Sequence, residues 1–185
     1  SMAMGILRLT MGRELGLIDE KAYRFLWGTG IPLLEVDKND TRWVSMHHPF
    51  TSPLPEDLPL LDSDPGKARA RAYDLVLNGT ELGGGSIRIH DSELQARIFK
   101  LLSITDEEAR NRFGFFLDAL QAGTPPHGGI ALGLDRLIFI LAGEDSIRDV
   151  IAFPKTASAT DLMTEAPSAV SDAQLRDLGV IAVRK

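Results

Sequence analysis

The sequence has 185 residues, of which 44% are hydrophobic and 25% charged, and this composition is typical of a globular domain with a sizeable core. Its formal net charge of −6 argues against a broad basic surface for nucleic acid, so most contacts with any RNA phosphates are expected to come from outside this chain. It has no cysteine and no apolar run near the roughly 20 residues of a membrane span, so we predict a soluble, cytoplasmic protein without membrane contact.

A helix is predicted near the start of the chain. Ser1-Met2, ahead of it, is typical of a cloning remnant. Apolar residues at helical spacing predict the helix over about residues 5–16, and Met11, Leu15 and Ile18 are expected to pack on one face. We therefore assign this segment a structural role.

Two strands and a long loop are predicted next. Residues 23–36 contain strand-like apolar runs interrupted by glycine and proline, so a strand with an irregular centre is expected. A polar turn over 37–42 leads to its partner strand over 43–46. Residues 52–66 contain four prolines and predict a loop that crosses the surface or covers a site, with a short helix over 67–71 after it.

Two adjacent histidines, His47 and His48, follow the second strand. Because a residue before proline is held extended, His48 has a fixed direction and His47 is expected to have the opposite one. The pair suggests a zinc site, but neighbouring histidines on a strand diverge and the chain has only four histidines. A hydrogen-bonding histidine at the mouth of a pocket is the favoured interpretation.

Residues 74–90 predict a β-hairpin on which the functional interpretation depends. Asn78-Gly79 between apolar strands is the strongest short signal for a type I′ turn, in which both central residues need positive φ. A two-residue turn places Val76 opposite Glu81, and by the same register Leu75 opposite Leu82.

This register brings two carboxylates, those of Asp74 and Glu81, to one face of the hairpin as diagonal neighbours. Like charges at this spacing are unfavourable unless a cation lies between them, and Mg²⁺ held jointly with substrate phosphates would suit such ligands. Two solvated carboxylates on an exposed strand are the alternative.

Three consecutive glycines, Gly83-Gly84-Gly85, interrupt the second strand of the hairpin. Glycines there usually mark a bulge or a place where something packs against bare backbone, and a ligand is the leading candidate. Strict alternation places Glu81 and Arg88 on opposite faces. If both serve one site, a bulge must shift the alternation by one residue.

The later elements are predicted from capping residues and apolar periodicity. They are a helix from Asp91 or Ser92 to about Leu102, a helix from Thr105 to Ala122, a strand over 130–134 that runs into a buried helix, a buried strand over 150–155, a capped helix over 171–178 and a strand over 180–183. Arg136 opens the apolar helix, where an arginine is costly to bury without an anionic partner. A salt bridge to Asp135 or another carboxylate and a contact with phosphate both remain open.

Taken together, these residues resemble the C-terminal part of bacterial-type aspartyl-tRNA synthetases, which are class II aminoacyl-tRNA synthetases. The resemblance covers nearly the whole chain and is carried by Met46–Pro53, Tyr73–His90, Pro125–Gly129, Gly133–Leu137 and Ile147–Lys155. It implies an α+β fold, with an antiparallel sheet flanked by helices that forms half of a class II catalytic domain. It also implies that residues 1–20 return from an inserted domain and that residues 21–185 are the C-terminal portion of the catalytic domain.

The resemblance implies ATP-dependent activation of L-aspartate to aspartyl-adenylate and transfer of aspartate to tRNA. The implied catalytic residues are Arg88 and Arg136. Aspartate would be bound by His47, Arg88, Gly83, Gly84 and Gly85, ATP by Glu81, Gly133, Leu134, Asp135 and Arg136, and Mg²⁺ by Asp74 and Glu81. The implied partners are L-aspartate, ATP, tRNA through regions outside this chain, and a second copy in a homodimer.

Several parts of such an enzyme have no counterpart in the sequence. The anticodon-binding barrel and the first and second class II motifs do not occur, so we expect a fragment that holds half an active site and is inactive alone. A truncated, non-catalytic paralogue that binds a nucleotide or an amino acid is the alternative, and a ligase acting on free amino acids is a third possibility. Gly28-Thr29-Gly30 stands where relatives usually carry two apolar residues and an aspartate, so an altered strand is expected there.

Overall fold

An antiparallel four-stranded sheet organises the first of the two units into which the chain divides, Ser1–Gly133 and Leu134–Lys185. The structure is a computed structural model and describes residues 2–19, 21–37 and 42–182. The strands are β1 (Phe25–Gly28), β2 (Leu34–Val36), β3 (Trp43–Ser45), β4 (Ala72–Leu77), β5 (Thr80–Ile87) and β6 (Gly128–Leu132). The helices are α1 (Met2–Glu14), α2 (Leu60–Ser63), α3 (Ser92–Leu101), α4 (Asp106–Gln121), α5 (Leu134–Ala142) and α6 (Asp172–Asp177), and 3₁₀ turns cover Pro55–Asp57, Pro65–Lys67 and Ile147–Val150.

The main sheet has the order β1-β4-β5-β6, with every neighbouring pair antiparallel. The single irregular strand predicted over 23–36 is two strands in different sheets. β1 ends at Gly28, Gly30 takes a left-handed φ of 72°, and β2 then pairs with β3 in a separate two-stranded sheet. The predicted strand thus breaks at Gly28-Thr29-Gly30. Of the predicted turn, residues 38–41 lie outside the described residues, and the amide of Asp37 donates to the carbonyl of Arg42 at 2.9 Å across it.

The β4–β5 hairpin confirms the predicted turn. Asn78 and Gly79 have φ of 49° and 84°, as a type I′ turn requires. Val76 pairs with Glu81 as predicted, but Leu75 pairs with Gly83 rather than with Leu82. Leu82 is therefore an extra residue in β5, a β-bulge.

The core of the first unit lies between the proline-rich segment and α3. It is built from Leu33, Leu34, Leu61, Ala68, Ala70, Ala72, Ile89 and Ile98. α3 begins as predicted, because Asp91 accepts a hydrogen bond from the amide of Leu94 at 2.7 Å. α4 begins with the predicted signature, a capping box between Thr105 and Glu108. Antiparallel sheet and flanking helices together give the α+β fold.

Two further predictions about the first unit are wrong. Residues 67–71 are not a helix: after the 3₁₀ turn, Arg69 and Ala70 are extended and form bridges with Pro32 and Pro53. The buried carboxylate of Asp57 accepts hydrogen bonds from the backbone amide and guanidinium of Arg69, which favours this extended path. α1 forms near its predicted place, but its expected packing face is exposed, with Met11 43%, Leu15 61% and Ile18 44% exposed.

The second unit has little regular structure. α5 forms, but none of its nine residues is buried, so the predicted buried helix is wrong within this chain. The predicted strands over 150–155 and 180–182 do not form, and Val183 lies outside the described residues. α6 confirms the capped helix, with a capping box between Ser171 and Gln174. A strand needs a hydrogen-bonding neighbour, and apolar pattern alone supplies none.

In the part of the chain that the structure describes, no helix is both long and apolar enough to span a bilayer.

Candidate active site

Because of the bulge at Leu82, Arg88 lies on the same face of the main sheet as Asp74 and Glu81. Paired residues share a face, and Glu81 pairs with Val76 while Gly84 pairs with Asp74. Because Val76 and Asp74 are two residues apart in β4, Asp74 and Glu81 lie on the same face. Beyond the bulge, alternation from Gly84 carries this face on to Arg88. The required shift by one residue is confirmed, and it lies just before the glycines rather than among them.

The bulge is held from the neighbouring strand. The amide of Gly133, directly after β6, donates to the carbonyl of Leu82 at 2.7 Å. At the other end of β5, the amide of Arg88 donates to the carbonyl of His127 at 2.9 Å. The β6 segment therefore fixes both the bulge and the backbone that presents Arg88.

The triple glycine is explained first by contacts within the protein. A Cβ on Gly83 would lie 2.8 Å from Cα of Leu132, and a Cβ on Gly85 would lie 2.8 Å from the carbonyl carbon of Gly129, so both glycines allow β6 to approach. A Cβ on Gly84 would collide with Oδ1 of Asp74 on the candidate face. A ligand is thus not needed to explain the three glycines, and their role in aspartate binding stays a prediction.

Asp74 is half-buried between two glycines of neighbouring strands. Gly84 lies on one side, and on the other an added Cβ at Gly28 would be 3.7 Å from Cβ of Asp74. Neither neighbour has a side chain to cover the carboxylate. The sheet thereby presents the carboxylate of Asp74 beside bare backbone.

Arg88 and His48 are in direct contact on this face. Nη1 of Arg88 lies 3.2 Å from Nδ1 of His48, and the amide of Phe50 donates to the same nitrogen at 3.2 Å. Arginine has donors only, so Nδ1 is the acceptor and the neutral ring carries its proton on Nε2. Burial, then the charge of Arg88, then that of His47 hold the pKa of His48 below its usual range, which favours this neutral form.

The segment that carries His48 is built into the core. The ring of Phe50 packs against Phe99, Phe113 and Phe116 of α3 and α4, with centroid distances of 6.1, 5.1 and 4.8 Å. Nε2 of Gln95, a fully buried side chain, donates to the carbonyl of Pro49 at 2.8 Å. The sequence predicted a hydrogen-bonding histidine here but not the role of Gln95, whose signal was its position one turn before the apolar residues Ile98 and Phe99 of α3.

The other predicted site residues are His47, Glu81 and the segment over 133–136. His47 and Glu81 are exposed. Gly133 is the last residue of the first unit, and Leu134, Asp135 and Arg136 open α5 in the second. Among the residues that the structure describes, no group of three or more histidine or carboxylate side chains could hold a metal ion.

A match to a known family identifies the family of this chain. Residues 6–157 match the family described as tRNA synthetases class II (D, K and N). The chain belongs to this family. As a class II synthetase segment, its antiparallel sheet and flanking helices are the expected architecture.

Bacterial relatives are similar over almost the whole of this synthetase segment. It is 62% identical over 178 residues to the aspartate–tRNA ligase of Oceanobacillus iheyensis, a match that covers 96% of this chain and 30% of that protein. It is 57% identical over 183 residues to the aspartate–tRNA(Asp/Asn) ligase of Geotalea uraniireducens, covering 99% of this chain and 31% of that protein. The chain thus spans about a third of the length of these relatives.

Solved structures of class II synthetases share the fold. Asparaginyl-tRNA synthetase from Entamoeba histolytica, solved in complex with asparaginyl-adenylate, has a TM-score of 0.53 at 23% identity and covers 82% of this chain and 28% of its own. Asparaginyl-tRNA synthetase from Pyrococcus horikoshii has the same TM-score and identity and covers 73% of this chain and 27% of its own. At this identity the likeness supports the architecture alone.

Proposed function

We propose that this chain is the C-terminal catalytic part of an aspartate–tRNA ligase, which activates L-aspartate with ATP and transfers it to tRNA. The observation that supports this most is the common face of Asp74, Glu81 and Arg88, which the bulge at Leu82 creates. The names of the most similar bacterial relatives point to the same reaction.

In this proposal Arg88 binds the side-chain carboxylate of aspartate. Its guanidinium forks match a carboxylate geometrically, and its Nη1 is already directed by His48. Asparagine would be rejected because a neutral amide leaves the half-buried positive charge of Arg88 without its partner. His47 and the glycines of β5 would contribute further contacts to aspartate.

Mg²⁺ and ATP fit the carboxylates of the same face. Mg²⁺ is usually held by one or two carboxylates together with substrate phosphates, so the pair of carboxylates on this face suits it. When bound, the ion neutralises phosphate charge. Asp74 and Glu81 would orient the triphosphate through it, while Gly133, Leu134, Asp135 and Arg136 would line ATP, with Arg136 as the second catalytic cation.

The reaction would need more protein than this chain. Adenylation depends on positioning and on charge stabilisation from both sides of the substrates. The chain spans about 30% of its relatives, so we propose that it supplies one wall of the site and does not aminoacylate alone. The opposite wall, most tRNA contacts and the homodimer interface would come from the rest of the enzyme.

The decisive experiment uses the full-length product of the native gene and aspartate-dependent ATP–pyrophosphate exchange. Arg88→Ala is expected to raise the KM for aspartate by about 100-fold, because a charge-assisted bidentate pair contributes about 3 kcal/mol. The KM for ATP should change little. Equal losses for both substrates would contradict the role of Arg88.

Two controls separate this proposal from its alternatives. A native reading frame that begins near Ala3 would favour the truncated paralogue, whereas upstream codons for a barrel and a second motif would favour the ligase. Robust exchange by the 185-residue chain itself would refute the proposal that it holds half a site.

A further inference from the structure

We propose that His48 is a positioning residue for substrate recognition: its Nδ1 holds the guanidinium of Arg88 in the orientation that receives the carboxylate of aspartate. This role deepens the proposed function and rests on it.

The hydrogen-bond pattern determines which form of the ring can act. Nδ1 of His48 receives both the amide of Phe50 and Nη1 of Arg88, each at 3.2 Å. Neither donor can accept, so a proton on Nδ1 would oppose both contacts. The neutral ring with Nε2–H is the form that holds Arg88, and a carboxylate in its place would instead neutralise the guanidinium that the substrate needs.

His48 is fixed by its own surroundings, as a positioning group must be. The amide of Ile89 donates to the carbonyl of Phe50 at 2.9 Å, which joins the histidine segment to the strand next to Arg88. Thr51, which is 2% exposed, forms a β-bridge with Arg88. Nε2 of Gln95 in α3 donates a hydrogen bond to the carbonyl of Pro49. Hydrogen bonds therefore tie together the backbone segments that carry the two partners of the contact.

The consequence for binding follows from the flexibility of arginine. Without an acceptor at Nδ1, the substrate itself must order the long Arg88 side chain, and aspartate affinity falls by that cost. In the proposed site Arg88 is assigned to aspartate and other residues are assigned to ATP. A loss confined to aspartate is therefore the signature of positioning.

The test compares substitutions in the full-length gene product by aspartate-dependent ATP–pyrophosphate exchange. His48→Ala removes the acceptor and is expected to raise the KM for aspartate about 10-fold, as for one hydrogen bond to a charged group. His48→Asn places an amide oxygen near the position of Nδ1 and should restore most of the affinity. His90→Ala, at an exposed histidine two residues after Arg88, is the matched control and should leave both KM values unchanged.

The outcomes distinguish a failure of the positioning role of His48 from a failure of the proposed role of Arg88. Equal increases in the KM for aspartate and for ATP, or no rescue by His48→Asn, would overturn the positioning role. If Arg88→Ala raised the KM for aspartate and His48→Ala did not, the positioning role alone would fail. If Arg88→Ala had no effect, the assignment of Arg88 would fail and the positioning role with it.

A spectroscopic test needs no activity. In the imidazole ¹⁵N spectrum of the 185-residue chain near neutral pH, His48 should show an unprotonated Nδ1 and a protonated Nε2. Arg88→Ala should shift the Nδ1 resonance and leave those of His90 in place. A proton on Nδ1, or a spectrum insensitive to Arg88→Ala, would overturn the contact.

Discussion

The residues that define the candidate site depend on contacts with neighbours far away in the sequence. Asp74 and Glu81 could be read from one hairpin, but Arg88 reaches their face only because Leu82 is an extra residue in β5. His48 lies 40 residues before Arg88 and still shares a hydrogen bond with it. At this scale the sequence supplied the chemical groups, and their meeting depends on strand pairing.

Acidification is expected to destabilise the chain through His48. The folded state favours the neutral ring, so its pKa is lowered by burial, by Arg88 and by His47. The unfolded ring takes up a proton below about pH 6.5. The free energy of unfolding should therefore fall as the pH drops below that value and level off below the lowered pKa of the folded state.

Urea unfolding of the 185-residue chain between pH 8 and pH 4 measures this effect. His48→Asn, which does not titrate, is the matched control. Wild type should lose stability relative to this variant as the pH falls. A difference between the two that stays constant with pH would contradict the prediction.

Local sequence signals were sufficient to predict the hairpin turn and the helix caps. The type I′ turn at Asn78-Gly79 and the caps of α3, α4 and α6 form as predicted, because each is stabilised by bonds within a few residues. The helix over 67–71 failed because the side chain of Asp57, 12 residues before Arg69, draws that segment into an extended path. Local helix propensity does not determine the structure of a segment that a distant buried side chain can hydrogen-bond in another conformation.

Substitution at the β5–β6 contact tests why the glycines are there. Gly85→Ala places a methyl group against the backbone of Gly129 and Ile130, so it should destabilise the chain by about 1–3 kcal/mol through overpacking. Gly129→Ala is the matched control, since its Cβ would point into open space and its φ is not left-handed. Urea unfolding should separate the two, and equal stabilities would contradict the packing explanation.

Helix α1 has little buried surface, so its removal should change the stability of the chain little. Its apolar side chains are exposed, among them Met4 at 63% and Ile6 at 60%. A variant that begins at Asp19 should therefore unfold within about 2 °C of the parent chain, because exposed residues contribute little to stability. A much larger fall in the melting temperature would show that α1 packs on the first unit.

At the scale of the whole molecule, both edge strands of the main sheet carry exposed apolar residues. Edge strand β1 exposes Phe25 at 61% and Trp27 at 58%, and all five residues of β6 are exposed. Such apolar edges suit a chain that spans about 30% of its relatives. They agree with the proposal that further protein continues the sheet and closes the site.

Calorimetry of the 185-residue chain tests this proposal directly. Titration with aspartate, and separately with Mg-ATP, should show weak or no binding, because each ligand would meet one wall of its site. The full-length gene product is the matched control and should bind both. Tight binding of either ligand by the chain alone would contradict the half-site.

The sequence by itself determined the turn, the helix caps, the family and the types of residue available for the site, because these depend on short-range bonds or on motifs of adjacent residues. Only the tertiary structure decided the position of the bulge, the contact between His48 and Arg88, and the approach of β6 to Gly83 and Gly85. Strand register and close backbone packing arise from partners distant along the chain, which no local pattern specifies. The strands predicted over 150–155 and 180–182 failed for the same reason, since an apolar pattern makes a strand only where a neighbouring strand is present to pair with it.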